Sequence, residues 1–178
     1  KNNFQAEVAQ AGGTEGIINW VQSISLNTSY LNLFKLQGIQ EWYVNEHHTY
    51  SKFYFSNKFL QLVAYSFALV FVLNIIKIDK KKREFQLACI GTAIISIFFM
   101  AGSHDPFGFI YLWMITHIPG FIAFRTPYYK FAPAFFVCFA PLLGYCWEFL
   151  LSNEKLKRVP YIAKLAIPAL LICVYFFP

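Results

Sequence analysis

Apolar and polar positions divide the chain into two unequal parts. Residues 1–58 mix the two kinds, whereas from Phe59 onward long apolar runs alternate with short charged loops. The first run, Phe59 to Ile78, carries no charge before Lys77 and is about 20 residues long, enough to cross roughly 30 Å of hydrocarbon as a helix. Further spans are predicted over 85–101, 128–151 and 161–177. Pro133 and Pro141 fall inside the third and Pro168 inside the fourth; membrane helices tolerate proline where neighbours re-satisfy the freed carbonyls.

Between the second and third spans lies the aromatic stretch 102–127. Asp105-Pro106 reads as a helix start, with Asp as the cap and Pro in the first turn. That helix is predicted over 106–117 and stops at Pro119-Gly120. It is roughly 18 Å long, too short to cross, so it lies in the interface or re-enters the membrane. Its residues are apolar on almost every face, which calls for both lipid and protein around it.

The N-terminal part reads as amphipathic. Thr14 is placed to cap a helix whose apolar residues Ile17, Val21 and Ile24 follow helical spacing. Asn27-Thr28-Ser29 interrupts it, and a second short helix is predicted over 29–37 with Gly38 as its stop. The run from Glu41 to Lys58 mixes aromatic and polar residues in the manner of the headgroup layer. The chain is thus expected to be all-α, a polytopic membrane bundle of about four spans plus an interfacial or re-entrant helix. It divides into an extracytoplasmic segment, 1–58, and a transmembrane domain, 59–178.

Composition supports the membrane class. The 178 residues are 57% hydrophobic and only 13% charged, against about 25% charged in soluble domains. The net charge of +6 is concentrated in Lys77 and Lys80–Arg83, and in Lys155, Lys157 and Arg158. These loops, 79–84 and 152–160, are expected to be cytoplasmic, which excludes nucleic acid as the reason for the charge. Residues 1–58 and 102–127 then share the outer side of a prokaryotic plasma membrane. The four cysteines sit in apolar runs without metal-site spacing. The start at Lys1 and the end at Pro178 read as cuts from a longer polytopic protein.

Candidate chemistry is sparse. Arg125, in Phe124-Arg125-Thr126-Pro127, is an arginine at the mouth of a span, and it either anchors to headgroups or binds a lipid-linked phosphate through its planar fork. Lys130 is positioned to join it as a point charge. Asp105 and His104 are candidate acid, base or ligand, although capping also accounts for Asp105. His117 suits the last turn of its helix through the dipole. Glu46-His47-His48 is a poor metal motif, because adjacent histidines point apart. Glu148 reaches the inner surface or pairs with Lys155. Asn27-Thr28-Ser29 matches a glycosylation pattern that is frequent by chance. No metal site, cofactor, nucleophile elbow, P-loop or dinucleotide fingerprint is predicted, and a divalent metal has no support in these residues.

The run from Asp105 to Phe131 resembles a pattern in the GT-C glycosyltransferase superfamily, closest to the alpha-(1→3)-arabinofuranosyltransferase-like and related uncharacterised membrane proteins. The matching pieces are Pro106-Phe107-Gly108, Pro119-Gly120-Phe121, and Phe124 to Pro127 with Lys130-Phe131; residues 27–38 add a second run. Together they cover about a quarter of the chain. The resemblance implies sugar transfer from a polyprenyl-phosphate donor to a glycan acceptor at the outer membrane face. Arg125, Lys130, Tyr128 and His117 would then be substrate-binding, and the catalytic carboxylate would lie in an earlier outer loop. The rival expectations are a non-catalytic scaffold or flippase-like protein that binds lipid-linked glycans, and a secondary transporter.

Overall fold

The computed structural model describes residues 12–44, 49–78, 80–152 and 160. Among them every regular element is helical. α1 is Gly13–Ile24, α2 Tyr30–Phe34, α3 Glu41–Val44, α4 Thr49–Ser56, α5 Lys58–Ile76, α6 Arg83–Met100, α7 Gly108–His117 and α8 Pro127–Ser152, with a 3-10 turn at Phe121–Phe124 before α8. Three of these, α5, α6 and α8, are long and apolar enough to cross a membrane. The predicted fourth span, 161–177, lies outside the described residues, as do His47, His48 and Lys155.

The bundle is written in the spacing of its buried residues. α5 buries Leu60, Val63, Ala64, Phe67, Val70, Phe71 and Asn74. α6 buries Gln86, Cys89, Ile90, Ala93, Ser96, Ile97 and Met100 at the same intervals. α8 turns inward Tyr128, Ala132, Phe135, Phe139, Leu142 and Cys146, alternating steps of four and three as in a coiled-coil seam. In this shared pattern α6 carries small Ala93 and Ser96 where α5 carries Phe67 and Val70. Phe71 stacks against Phe135 and Phe139 at 5.9 and 5.3 Å. In lipid such fit, rather than escape from water, is what holds helices together.

Two buried amides lock one end of this bundle. Asn74 donates to the Leu142 carbonyl at 2.9 Å, and Gln86 donates to the Asn74 side-chain oxygen at 2.9 Å. All three spanning helices are therefore joined by one chain of hydrogen bonds. At the same end Lys82 pairs with Glu148 at 3.0 Å, so Glu148 meets the α5–α6 turn.

The other end carries a cap built from α1–α4, α7 and the 3-10 turn. At this end residues of the N-terminal part bond to the α6–α7 connection. The Thr28 hydroxyl lies 2.9 Å from both the Ser25 and Ala101 carbonyls, and Ser103 donates its N–H to Ser25 Oγ at 3.2 Å. Ile17 and Val21 of α1 close over Tyr111 and Ile115 of α7, with Phe99, Phe121 and Phe131 packed around them. The opposite face of α7 is open at Phe109 and Trp113.

Three boundaries differ from expectation. α1 starts after Gly12, which takes a left-handed conformation, and no side chain caps it; Thr14 lies inside the first turn. α2 ends at Phe34, and the left-handed position past its end is Leu36, not Gly38. The Gln37 N–H reaches Asn32 O and the Leu36 N–H reaches Leu33 O, the paired closure of a Schellman ending. Leucine is strained there by roughly 1–2 kcal/mol, and its burial in the main core offsets this. Gly38 serves another purpose: a Cβ there would lie 2.5 Å from Leu33 Cδ2 and 3.1 Å from the Tyr128 ring. Finally, α7 starts at Gly108, two residues late. Asp105 does not cap it, and the Asp105–Pro106 peptide is cis. Gly108 packs so closely on Ser103 that a Cβ would sit 2.0 Å from its carbonyl oxygen.

Candidate functional site

The run that enters α8 organises the cap end. Tyr111, buried on α7, donates its hydroxyl to the Phe124 carbonyl and so pins the 3-10 turn. Phe124 stacks on Phe131 at 5.3 Å, and Phe131 on Phe99 of α6 at 4.7 Å. Residues 125–130 are therefore held between two anchored aromatics. Arg125 caps the 3-10 turn and is exposed; among the described residues its guanidinium meets no carboxylate. Thr126, Tyr128 and Tyr129 turn into a cleft, and Lys130 is exposed again.

That cleft has a volume of about 340 Å³ and lies between α1, the start of α3 and the head of α8. This is within the range of small-ligand sites, roughly 300–1,000 Å³. Its walls are Trp20, Ser23 and Ile24 from α1, Gln40 and Glu41 from the α2–α3 corner, and Thr126, Tyr128 and Tyr129. The Tyr129 hydroxyl donates to Glu41 Oε2, tying residues far apart in sequence. Asn27 Nδ2 donates to Gln40 Oε1 at 2.9 Å, and Asn32 Nδ2 to the Asn27 carbonyl at 3.0 Å. Asn27 is thus engaged as a wall support, Thr28 is buried, and Ser29 Oγ accepts from the Asn32 N–H. The glycosylation-like triplet is used to fold the corner.

The predicted site residues separate. Tyr128 lines the cleft, and Arg125 and Lys130 bracket the lining run. His117 is elsewhere: it borders a 240 Å³ hollow at the end of α7 with Thr14 and Pro119. Its ring stacks on Trp113 at 5.1 Å, and its Nδ1 is 3.0 Å from the Trp113 carbonyl and 2.7 Å from Thr116 Oγ1. His104 is turned back on the Asp105 carbonyl at 2.9 Å, and neither residue lines the cleft. The group facing the cleft that sequence reasoning passed over is Glu41. It opens an aromatic run that reads as interface, and nothing in the sequence singles it out from Glu15 and Glu46 in the same part of the chain. Among the described residues no cluster of three or more His, Cys, Asp or Glu could hold a metal.

Among the described residues the protein is all-helical, with three helices long and apolar enough to cross a membrane and a polar-aromatic cleft at one end. No family model, curated protein or solved structure matches the chain.

Proposed function

We propose that the protein is an integral membrane glycosyltransferase that takes its sugar from a polyprenyl-phosphate donor at the outer face. The observation that carries this reading is the run 125–130. Six consecutive residues supply two exposed cations, Arg125 and Lys130, and three walls of a cleft. A lipid phosphate is a natural partner for an interfacial guanidinium, which binds phosphate oxygens in a bidentate fork. As the sugar leaves, negative charge grows on that phosphate, and a fixed cation in a partly dry site stabilises it.

The same reading assigns a fourth span to residues 161–177 and an interfacial position to α7, whose Phe109 and Trp113 are exposed. The basic α5–α6 turn faces the cytoplasm and the cap faces outward, following the positive-inside rule. Asp105 and His104 are given no part in it, since neither lines the cleft. The test is Arg125→Ala in the intact protein, with transfer from a polyprenyl-phosphate sugar followed in vesicles. A drop of roughly tenfold or more is expected for loss of a charge-assisted contact. Unchanged turnover would remove the phosphate-binding role.

A further inference from the structure

The charge pattern of the cleft separates what it holds from what Arg125 and Lys130 hold. Among its lining residues there is no lysine, arginine or histidine, and one carboxylate, Glu41. A phosphate would be repelled by that wall. A purely apolar tail would leave Glu41, Gln40, Ser23 and Thr126 facing hydrocarbon, which costs free energy. The walls instead combine two ring faces with a rim of hydroxyl-matching groups. Trp20 is 52% exposed and Tyr129 47% exposed, so both have ring surface to offer, while Tyr128 forms a buried floor. Sugar rings have the complementary construction, C–H groups on a face and hydroxyls around the edge.

The polar rim is prearranged. The Asn27 donor occupies Gln40 Oε1, which leaves the Gln40 NH₂ to donate elsewhere. The Tyr129 hydroxyl occupies one oxygen of Glu41, leaving the other to accept from a ligand hydroxyl. Groups fixed by such supporting bonds lose little entropy when a ligand arrives.

We propose that this cleft is a subsite for a neutral sugar ring of the glycan acceptor, stacked on Trp20 and Tyr129 and hydrogen-bonded by Glu41 and Gln40. The assignment rests on the transferase reading for the word acceptor, but not for the binding of a sugar. It divides the cap end into a neutral subsite in the cleft and a cationic lip at Arg125 and Lys130.

The experiment uses the intact protein in lipid nanodiscs and saturation-transfer NMR with a panel of methyl pyranosides and methyl furanosides. At least one glycoside is expected to receive saturation at its ring C–H protons. Trp20→Ala and Glu41→Gln should each weaken that binding roughly tenfold, the scale of a lost charge-assisted hydrogen bond or stacking face. The control Trp113→Ala should leave it unchanged. Trp20 and Glu41 are exposed, and size-exclusion profiles of the two variants are the check that they fold. Absence of binding by every glycoside, or binding that survives both cleft variants, overturns the subsite. Glycoside binding that depends on the cleft, beside transfer indifferent to Arg125, keeps the subsite and removes the transferase reading. Transfer that needs Arg125, with no glycoside in the cleft, does the reverse.

Discussion

In the bundle of α5, α6 and α8, helices meet chiefly through apolar side chains, with Asn74 reaching the Leu142 carbonyl at one end. In the cap, side chains bond backbone at one corner after another. Thr28 reaches Ala101, Ser103 reaches Val21, Tyr43 reaches Gln37 and Tyr111 reaches Phe124. The difference follows from the length of the helices. A spanning helix leaves few carbonyls and N–H groups unpaired, all at its ends. The cap is made of pieces of four to twelve residues, so ends dominate and every corner needs an outside partner. The cap is thereby held by specific hydrogen bonds and close glycine contacts, and it tolerates less change than the more regular bundle.

The glycines give the sharpest way to break that contrast. Gly108→Ala would press a methyl group against the Ser103 carbonyl, and Gly102→Ala would place one 2.4 Å from Ser25 Oγ and 2.6 Å from Pro127 at a left-handed φ of 58°. Overpacking of this kind costs on the order of 3 kcal/mol; at Gly108 the obstacle is backbone, which cannot yield as a flexible side chain does, and at Gly102 the left-handed φ adds strain. Both variants should lose folded yield and several degrees of thermal midpoint in detergent. Gly91→Ala and Gly144→Ala, within α6 and α8, meet nothing within 4 Å. They should be neutral or gain up to about 1 kcal/mol from helix propensity. Equal losses in all four would end the distinction between the two regions.

Hydrogen bonds come next. Tyr111→Phe keeps the aromatic packing but strips the Phe124 carbonyl of its donor, at a cost of roughly 1–3 kcal/mol if no water replaces it. Asn74→Leu cuts the amide chain of the bundle, where interhelical bonds in membranes are worth about 0.6 kcal/mol on average and 1.7 at most. Unfolding in mixed micelles should therefore rank Tyr111→Phe as the more damaging. The opposite order would make the amide chain, not the cap, the more critical polar structure.

Alkaline titration probes the tyrosines of the cap. Burial pushes the Tyr43 hydroxyl up to about 12 and raises Tyr111 further. A phenol with its folded pKa raised is stabilising below the unfolded value, near 10, and that contribution is lost as pH climbs through the folded one. Cap fluorescence and thermal stability should fall between about pH 10 and 12, and Tyr43→Phe should make the fall shallower. The smallest effect is expected at the opposite end. Lys82 and Glu148 are both exposed, so Lys82→Ala should cost less than about 1 kcal/mol and nothing in high salt.

The spans of α5, α6 and α8 were legible within two residues at each end, because a run of apolar residues has few alternatives once it must satisfy its own backbone in lipid. The stop of α7 at Pro119-Gly120 was legible for a similar local reason. The start of α7 was not. Asp105-Pro106 has the chemistry of a cap, but the approach of Gly108 to Ser103 sets where the helix begins, and that contact is tertiary. Gly38 misled in the same way: its missing Cβ answers to Leu33 and Tyr128, while Leu36 takes the turn.

The amino-acid order by itself determined an all-helical protein with bilayer-length segments, and it put Arg125 and Lys130 in one exposed, aromatic-flanked run. Those properties are local sums of hydropathy, length and charge. Only the tertiary structure decided that Glu41 meets Tyr129, that Trp20 faces the same cleft, and that His117 and Asp105 lie outside it. Such meetings join residues far apart in the chain, 88 positions for Glu41 and Tyr129. They depend on how short helices settle on the bundle, for which no periodicity in the chain is a guide.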